Sequence, residues 1–231
     1  MTEEYPMRIN KYLAHKGHAT RKEADALITA GKVIINDRLA QLGDKVEADD
    51  TVVVRAVQKG RHYWAFHKPR EIVTLATYKD EKDVMSVAKI PGVFPIGRLD
   101  KESNGLLILT DDGRITDRLL NPDRVHEKEY EVRVREELPH DFKSKMEAGV
   151  DIGDYVTRPC TVRILDEHRF AIILTEGKHH QIRRMCDVMH TTIESLTRTR
   201  VMNITLGNLS EGASRKIEGE ELKTFLQSLG L

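Results

Sequence analysis

Apolar residues fall into two kinds of spacing along this chain. Near the start they recur every three or four positions. In MRINKYLAHKG (7–17), Ile9 and Leu13 stand four apart, Lys11 and Lys16 lie on other faces, and Gly17 marks a helix stop. In TRKEADALITAGK (20–32), Ala24, Leu27 and Ile28 form an apolar stripe that ends at Gly31. Thr20 and Glu23 are spaced as a capping box, which satisfies two orphan amides at a helix start. The spacing then shortens. KVIINDRLA (32–40) reads as two short strands around Asn36-Asp37, and TVVVRAV (51–57) as a closing strand.

A polar stretch with one glycine, QKGRH (58–62), reads as a linker. Beyond it YWAFHKP (63–69), GLLILT (105–110), EYEVRV (129–134), TVRIL (161–165) and FAIILT (170–175) are strand-like. FKSKMEAGV (142–150), HQIRRMCDVM (180–189) and EELKTFLQSL (220–229) are helix-like. Strands follow strands, with helices at irregular intervals. That order predicts an α+β fold, with a small unit at 7–58 and a larger one at 61–231 built on a mixed, mainly antiparallel sheet. No internal repeat, low-complexity tract, dinucleotide motif or P-loop is present.

Composition narrows the class. The 231 residues are 39 % apolar, enough for a packed core, and carry 37 Lys/Arg against 37 Asp/Glu. Global charge therefore says nothing about a polyanionic partner. Two cysteines, Cys160 and Cys186, are too few for a disulfide framework. The N-terminus MTEEYPMRIN lacks the apolar core of a signal peptide, and no apolar run approaches the roughly 20 residues of a membrane span. A cytoplasmic protein with no membrane association is expected.

Local charge is uneven. Residues 8–38 hold seven Lys/Arg (Arg8, Lys11, Lys16, Arg21, Lys22, Lys32, Arg38) against three acids, while acids gather at Asp44, Glu47, Asp49 and Asp50. Such a face suits a phosphate backbone, but an ordinary solvated face has the same composition. A second basic stretch spans 177–203, with Lys178, Arg183, Arg184, Arg198 and Arg200 against Asp187 and Glu194.

The chemistry centres on GRLDKESNGLLILTDDG (97–113), which places Asp100 just before an apolar run. Asp100, Glu102, Asn104 and Gly105 imitate the start of a calcium loop. Ile108 and Asp111 then stand where a polar residue and a bidentate Glu are needed, and the flanks read as turn and strand. Cys186 and His190, with His179 and His180, lack a second cysteine pair and make a poor metal set. No metal is expected. Asp100 could simply cap a turn, or act as a carboxylate nucleophile aimed by a nearby cation, and the arginines of 177–203 taken alone read as a solvated surface.

Residues 7–57 resemble the αL-type RNA-binding domain of the ribosomal S-four family, through Arg8, Lys11, Tyr12, Leu13, Thr20, Arg21, Ala24, Gly31, Val33 and Asn36. That resemblance implies RNA contact by Arg8, Lys11, Lys16, Arg21, Lys22 and Lys32. HKP (67–69), the 97–113 stretch, EKEYEV (127–132) and EGKHHQIRRM (176–185), in this order, resemble the pseudouridine synthases of the RsuA type, which carry an S-four-like domain ahead of a catalytic one. FPIGRLDKES, HEKEYEV, QIRRMC and RTRVMNITL look closest to the RluF-like branch, which acts on large-subunit ribosomal RNA.

The resemblance implies an isomerase that breaks the N1–C1′ bond of a uridine, rotates the base and rejoins it through C5. No cofactor is implied, because the product is an isomer. Asp100 takes the catalytic aspartate position, as nucleophile or base. Arg98 matches the arginine that helps displace the base, at a cost of a few kcal/mol that binding offsets. Tyr130 matches the tyrosine that stacks on the uracil, Arg183 the basic residue paired with the aspartate, and Ile182 the apolar residue against the base. Lys68-Pro69 match a motif shaping the pocket wall, with Lys68 expected among the substrate-binding residues beside Arg98 and Ile182. A monomer acting on ribosomal RNA, with tRNA as a second possible substrate, is expected. Two other classes stay open. One is a non-catalytic RNA-binding ribosome-assembly protein, whose mark would be a lost Asp100 or Tyr130. The other is a metal-assisted hydrolase, which would need a second carboxylate, such as Asp111 or Asp112, beside Asp100.

Overall fold

The computed structural model describes residues 4–55, 60–78, 81–121 and 123–231. The chain divides into two compact units, one comprising Met1–Arg61, Asp112–Ile115 and Leu231, the other His62–Asp111 and Thr116–Gly230.

In the first unit, helix Ile9–His15 buries Ile9 and Leu13 and ends where Gly17 turns to φ +75°. The His18 amide there bonds back to the Leu13 carbonyl at 2.9 Å. Helix Arg21–Thr29 starts on the expected capping box. The Glu23 amide donates to the Thr20 hydroxyl (3.2 Å), and the Thr20 amide donates to the Glu23 carboxylate (2.8 Å). Ala24 and Ile28 are buried and Leu27 is partly so. Strand Val33–Ile35 lies between Arg38–Leu39 and Val52–Val54, both antiparallel to it, and Asn36 at φ +54° makes the tight turn. A two-residue pairing of Met7–Arg8 with Lys45–Val46 has no hydrophobic pattern to announce it. The end of the 51–57 stretch and the start of the 58–62 linker, residues 56–59, lie outside the described residues.

The second unit is built on a sheet of nine strands among the described residues. Its main path runs Thr161–Asp166, Arg169–Leu174, Lys128–Val134, Ile193–Val201, Asn104–Thr110, Tyr63–Lys68, Ser214–Lys216. Phe94–Ile96 adds to Asn104–Thr110, and Ile204–Thr205 to Ile193–Val201. Among the described strands of this sheet only Ile193–Val201 and Asn104–Thr110 run parallel, so the sheet is mainly antiparallel. Helices Phe142–Ala148 and Gln181–Val188 bury Phe142, Met146, Ile182 and Met185 in one core with Val132, Phe170 and Ile172. Phe142 meets Phe170 edge-on, with centroids 4.8 Å apart. A second core joins Phe66, Leu107, Leu109 and Val84, the last on a short helix Val84–Ala88. No helix among the described residues is long and apolar enough to cross a membrane.

The central strand Ile193–Val201 is absent from the pattern-based expectation, although it joins the two halves of the sheet. Its sequence, IESLTRTRV, looks like a solvated basic stretch. In place, Arg198 is buried with Nε donating to the Leu106 carbonyl at 2.8 Å, and Arg200 is paired with Glu129 and Glu127 at 2.9 and 3.0 Å. The parallel crossing is tight. A Cβ at Gly105 would sit 2.4 Å from the Arg198 carbonyl oxygen and 2.5 Å from its nitrogen, and Gly105 adopts φ +112°. Only glycine satisfies both demands.

Candidate active site

The turn that carries Asp100 is fixed from both sides. Gly97, at φ +76°, starts it, and the Ser103 amide closes it onto the Asp100 carbonyl at 3.1 Å. The Thr74 hydroxyl donates to the Leu99 carbonyl (2.8 Å) and accepts from the Leu99 amide (3.0 Å). Lys68 is fully buried. Its ammonium donates to the carbonyls of Pro69 and Ser103, both at 2.8 Å, and reaches that of Lys101 at 3.5 Å. Burial pushes the Lys68 ammonium down to about 8, with the Asp100 charge opposing that shift. Lys68 lies behind this turn rather than in the pocket lining. Three carbonyls consume its donors, and it does not line the pocket; it holds the turn that aims Asp100.

Asp100 opens onto a cavity of about 450 Å³ that lies wholly within the second unit. Its apolar lining includes Ile108, Leu119, Leu174, Ile182 and Leu196, and its polar lining includes Arg98, Tyr130, Arg183, Lys128, Arg198 and Glu176. Five of the six expected residues, Asp100, Tyr130, Arg183, Arg98 and Ile182, therefore share one pocket although they come from three separate stretches of sequence. Arg98 is exposed, and its carbonyl accepts from Arg198 at 3.4 Å. Ile182 and Arg183 come from the first turn of helix Gln181–Val188, and Tyr130 from strand Lys128–Val134.

The expected pairing of Asp100 with Arg183 is not formed. Arg183 Nη2 donates to the Ser103 hydroxyl at 3.1 Å, and Nη1 lies 3.5 Å from Glu102. Its Nε is buried without a hydrogen-bond partner. The neighbour of Asp100 is His180, with Nε2 at 3.6 Å from Oδ1. His180 adopts φ +52° at the helix start and stacks on His179, the ring centroids 3.9 Å apart. A sequence cannot show which of two basic side chains, three residues apart, turns toward an acid eighty residues earlier. The only signal for His180 was its place in the HHQIRR run.

The alternatives meet the geometry poorly. The Asn104 side chain, a calcium ligand in the loop reading, donates to Glu211 at 2.8 Å and accepts from Thr197 at 2.7 Å, already within a strand. Asp111 is bound to His62 at 2.9 Å, beyond the far end of strand Asn104–Thr110. About 20 Å of extended chain separates it from Asp100, too far for a shared metal. Cys186 is buried and its thiol is pushed up to about 12 by burial, whereas His190 is exposed.

In the first unit, Arg8, Lys11, Lys16, Arg21, Lys22 and Lys32 are all exposed. Lys16 lies over the Tyr12 ring at 5.7 Å. Among the described residues, no carboxylate lies within 4 Å of Arg8, Lys11, Arg21, Lys22 or Lys32, whereas Arg38 is paired with Asp44 at 2.6 Å.

Comparison with known proteins agrees with this arrangement. Residues 62–187 match the RNA pseudouridylate synthase family, and residues 7–52 match the S4 domain. The chain is 38 % identical over 230 residues to the dual-specificity RNA pseudouridine synthase RluF of Salmonella typhi, covering 96 % of this chain and 79 % of the relative. It is 30 % identical over 229 residues to the ribosomal large subunit pseudouridine synthase B of Bacillus subtilis, covering 94 % of each. A crystal structure of a pseudouridylate synthase superposes with a TM-score of 0.69 at 23 % identity, over 96 % of this chain and 99 % of the other, and so shares its fold. An S4 domain followed by this catalytic fold, with relatives of this kind across nearly the whole length, means that the chain belongs to the RNA pseudouridylate synthases, in the RsuA-type branch.

Proposed function

We propose that this chain isomerises a uridine of large-subunit ribosomal RNA, with Asp100 as the catalytic carboxylate. The observation that carries the proposal is the placement of Asp100. It sits on a turn held by Lys68 and Thr74 and faces a pocket that also contains Tyr130, Ile182 and Arg183. A side chain fixed in this way spends little entropy in reaching its reacting atom. The uracil enters the apolar lining between Ile182 and Tyr130, and Arg98 at the rim fills the space that the base leaves. Asp100 acts at the sugar, as nucleophile or base. The N1–C1′ bond breaks, the base turns, and C5–C1′ forms. The C5 proton leaves toward Tyr130, and N1 regains a proton from solvent.

Residues 7–58 supply RNA affinity through Arg8, Lys11, Lys16, Arg21, Lys22 and Lys32, and residues 61–231 supply the chemistry. The chain acts as a monomer in the cytoplasm. A tRNA is a candidate second substrate. Mapping pseudouridine in ribosomal RNA and tRNA from cells with and without the gene tests the assignment. Loss of one large-subunit pseudouridine is expected, and full activity of the purified protein in EDTA on folded RNA. An unchanged map would overturn the proposal.

A further inference from the structure

Beside the main pocket lies a smaller cleft of about 100 Å³. The two hollows share six lining residues, Leu119, Leu120, Lys128, Glu176, Gly177 and Lys178, so they are continuous. Beyond the shared wall, the cleft is lined by Arg124, Arg158 and Tyr155 among others. Four cations thus face a space containing one carboxylate. That carboxylate is already engaged. Glu176 accepts from the Tyr155 hydroxyl (2.7 Å), the Arg158 amide (2.9 Å) and Gln181 Nε2 (2.8 Å), and its ion pair is with Arg158 at 3.8 Å.

The remaining cations have no close counter-ion, although the Lys178 charge reaches Asp154. Among the described residues no carboxylate lies within 4 Å of Lys128, Arg124 or Lys178; the Lys178 ammonium lies 4.3 Å over the Tyr155 ring. Lys128 stands where the hollows meet, and among the described residues its one polar contact is a long 3.5 Å approach to the His126 carbonyl. Burial and the nearby Arg198 both work against its charge. A half-buried ammonium with no counter-ion, between a nucleoside-sized pocket and a basic side cleft, lacks an anion that the substrate can provide.

We propose that the cleft receives the phosphodiester joining the flipped uridine to its neighbour, with Lys128 as its principal ligand and Arg124 and Lys178 beyond it. This rests on the reading that the target uridine occupies the main pocket. The strand then leaves the pocket over Lys128, and the charge-assisted contact adds binding energy that is present both before and during the reaction.

The test uses the full chain and total RNA, with uridine tritiated at C5, from cells lacking the gene; tritium release reports turnover and a parallel titration reports binding. Lys128→Met keeps the aliphatic stem and removes the charge. It is expected to raise KM at least tenfold with kcat within threefold, and to lower the slope of log affinity against log salt by about 0.7, one phosphate contact on a single strand. Lys128→Arg is expected to stay within threefold of wild type. Arg163→Met, on the exposed edge strand, is the neutral control. An unchanged KM and salt slope in Lys128→Met would overturn the proposal, as would equal impairment of the Arg and Met variants, which would mean that shape matters and not charge. Failure of the wild type to release tritium would count against the proposed function instead, with the binding slopes still deciding the phosphate contact.

Discussion

The Asp100 carboxylate has His180 as its neighbour at 3.6 Å, while the Arg183 guanidinium, in the same pocket, turns to Glu102 and Ser103. The Glu102 contact is long and Glu102 is largely exposed, so it holds Arg183 weakly. Arg183 can therefore swing to a charge developing near Asp100 at little cost. Glu102→Gln is expected to change single-turnover conversion by less than threefold, whereas Arg183→Ala lowers it at least a hundredfold. Arg183→Lys keeps the charge without the planar fork and falls between them. If Glu102→Gln is as damaging as Arg183→Ala, the Glu102 pair is part of the working site.

Asp100 and Arg183 should behave as one unit. Asp100→Asn combined with Arg183→Ala is expected to be scarcely worse than Asp100→Asn alone. Additive losses in single-turnover rates would separate the two roles.

The Lys68 clamp has a pH signature. Its ammonium loses its proton near 8 in the folded protein and at its ordinary, higher value when unfolded. Above about 8 the neutral amine has one donor fewer for three carbonyls, the Asp100 turn loosens, and turnover falls. Over the same range the unfolded chain binds more protons than the folded one, so this group makes stability rise with pH. The expected result is an alkaline limb in single-turnover rate near pH 8 with no loss of Tm. Lys68→Met abolishes that limb. A parallel fall of rate and Tm would point to general unfolding.

Gly105→Ala tests the strand crossing. The added methyl meets the Arg198 backbone at 2.4 and 2.5 Å, and the backbone conformation is one L-residues avoid. A loss of about 3 kcal/mol or more in urea unfolding is expected from strain and overpacking together. A variant within about 1 kcal/mol of wild type would mean that the two strands separate easily.

Much of this molecule is legible in its sequence. Both N-terminal helices, the capping box at Thr20 and Glu23 and most strands of the sheet follow from apolar spacing and stop residues. The turn that carries Asp100 is marked by its motif. What escapes depends on distant partners. Strand Ile193–Val201 hides because its arginines find Leu106, Glu127 and Glu129 only after the sheet assembles. Helix Arg114–Leu120, which ends in two leucines lining the pocket, is too short to stand out by periodicity. The place of Lys68 in a motif is readable, but its three carbonyl partners are not.

In the first unit, neutralising Lys11, Arg21 and Lys22 together is expected to weaken binding to structured RNA with kcat unchanged. The salt slope falls by roughly 0.9 for each phosphate that is no longer neutralised. An unchanged slope would show that this exposed face does not meet the RNA backbone.

The most direct test is single-turnover conversion of a ribosomal RNA fragment by Asp100→Asn, with binding followed separately. The substitution keeps the size of the side chain and removes its charge and nucleophilicity. Abolished turnover with RNA affinity within threefold of wild type is the predicted result. Turnover near the wild-type rate would contradict the assignment of Asp100 and with it the proposed chemistry of this pocket.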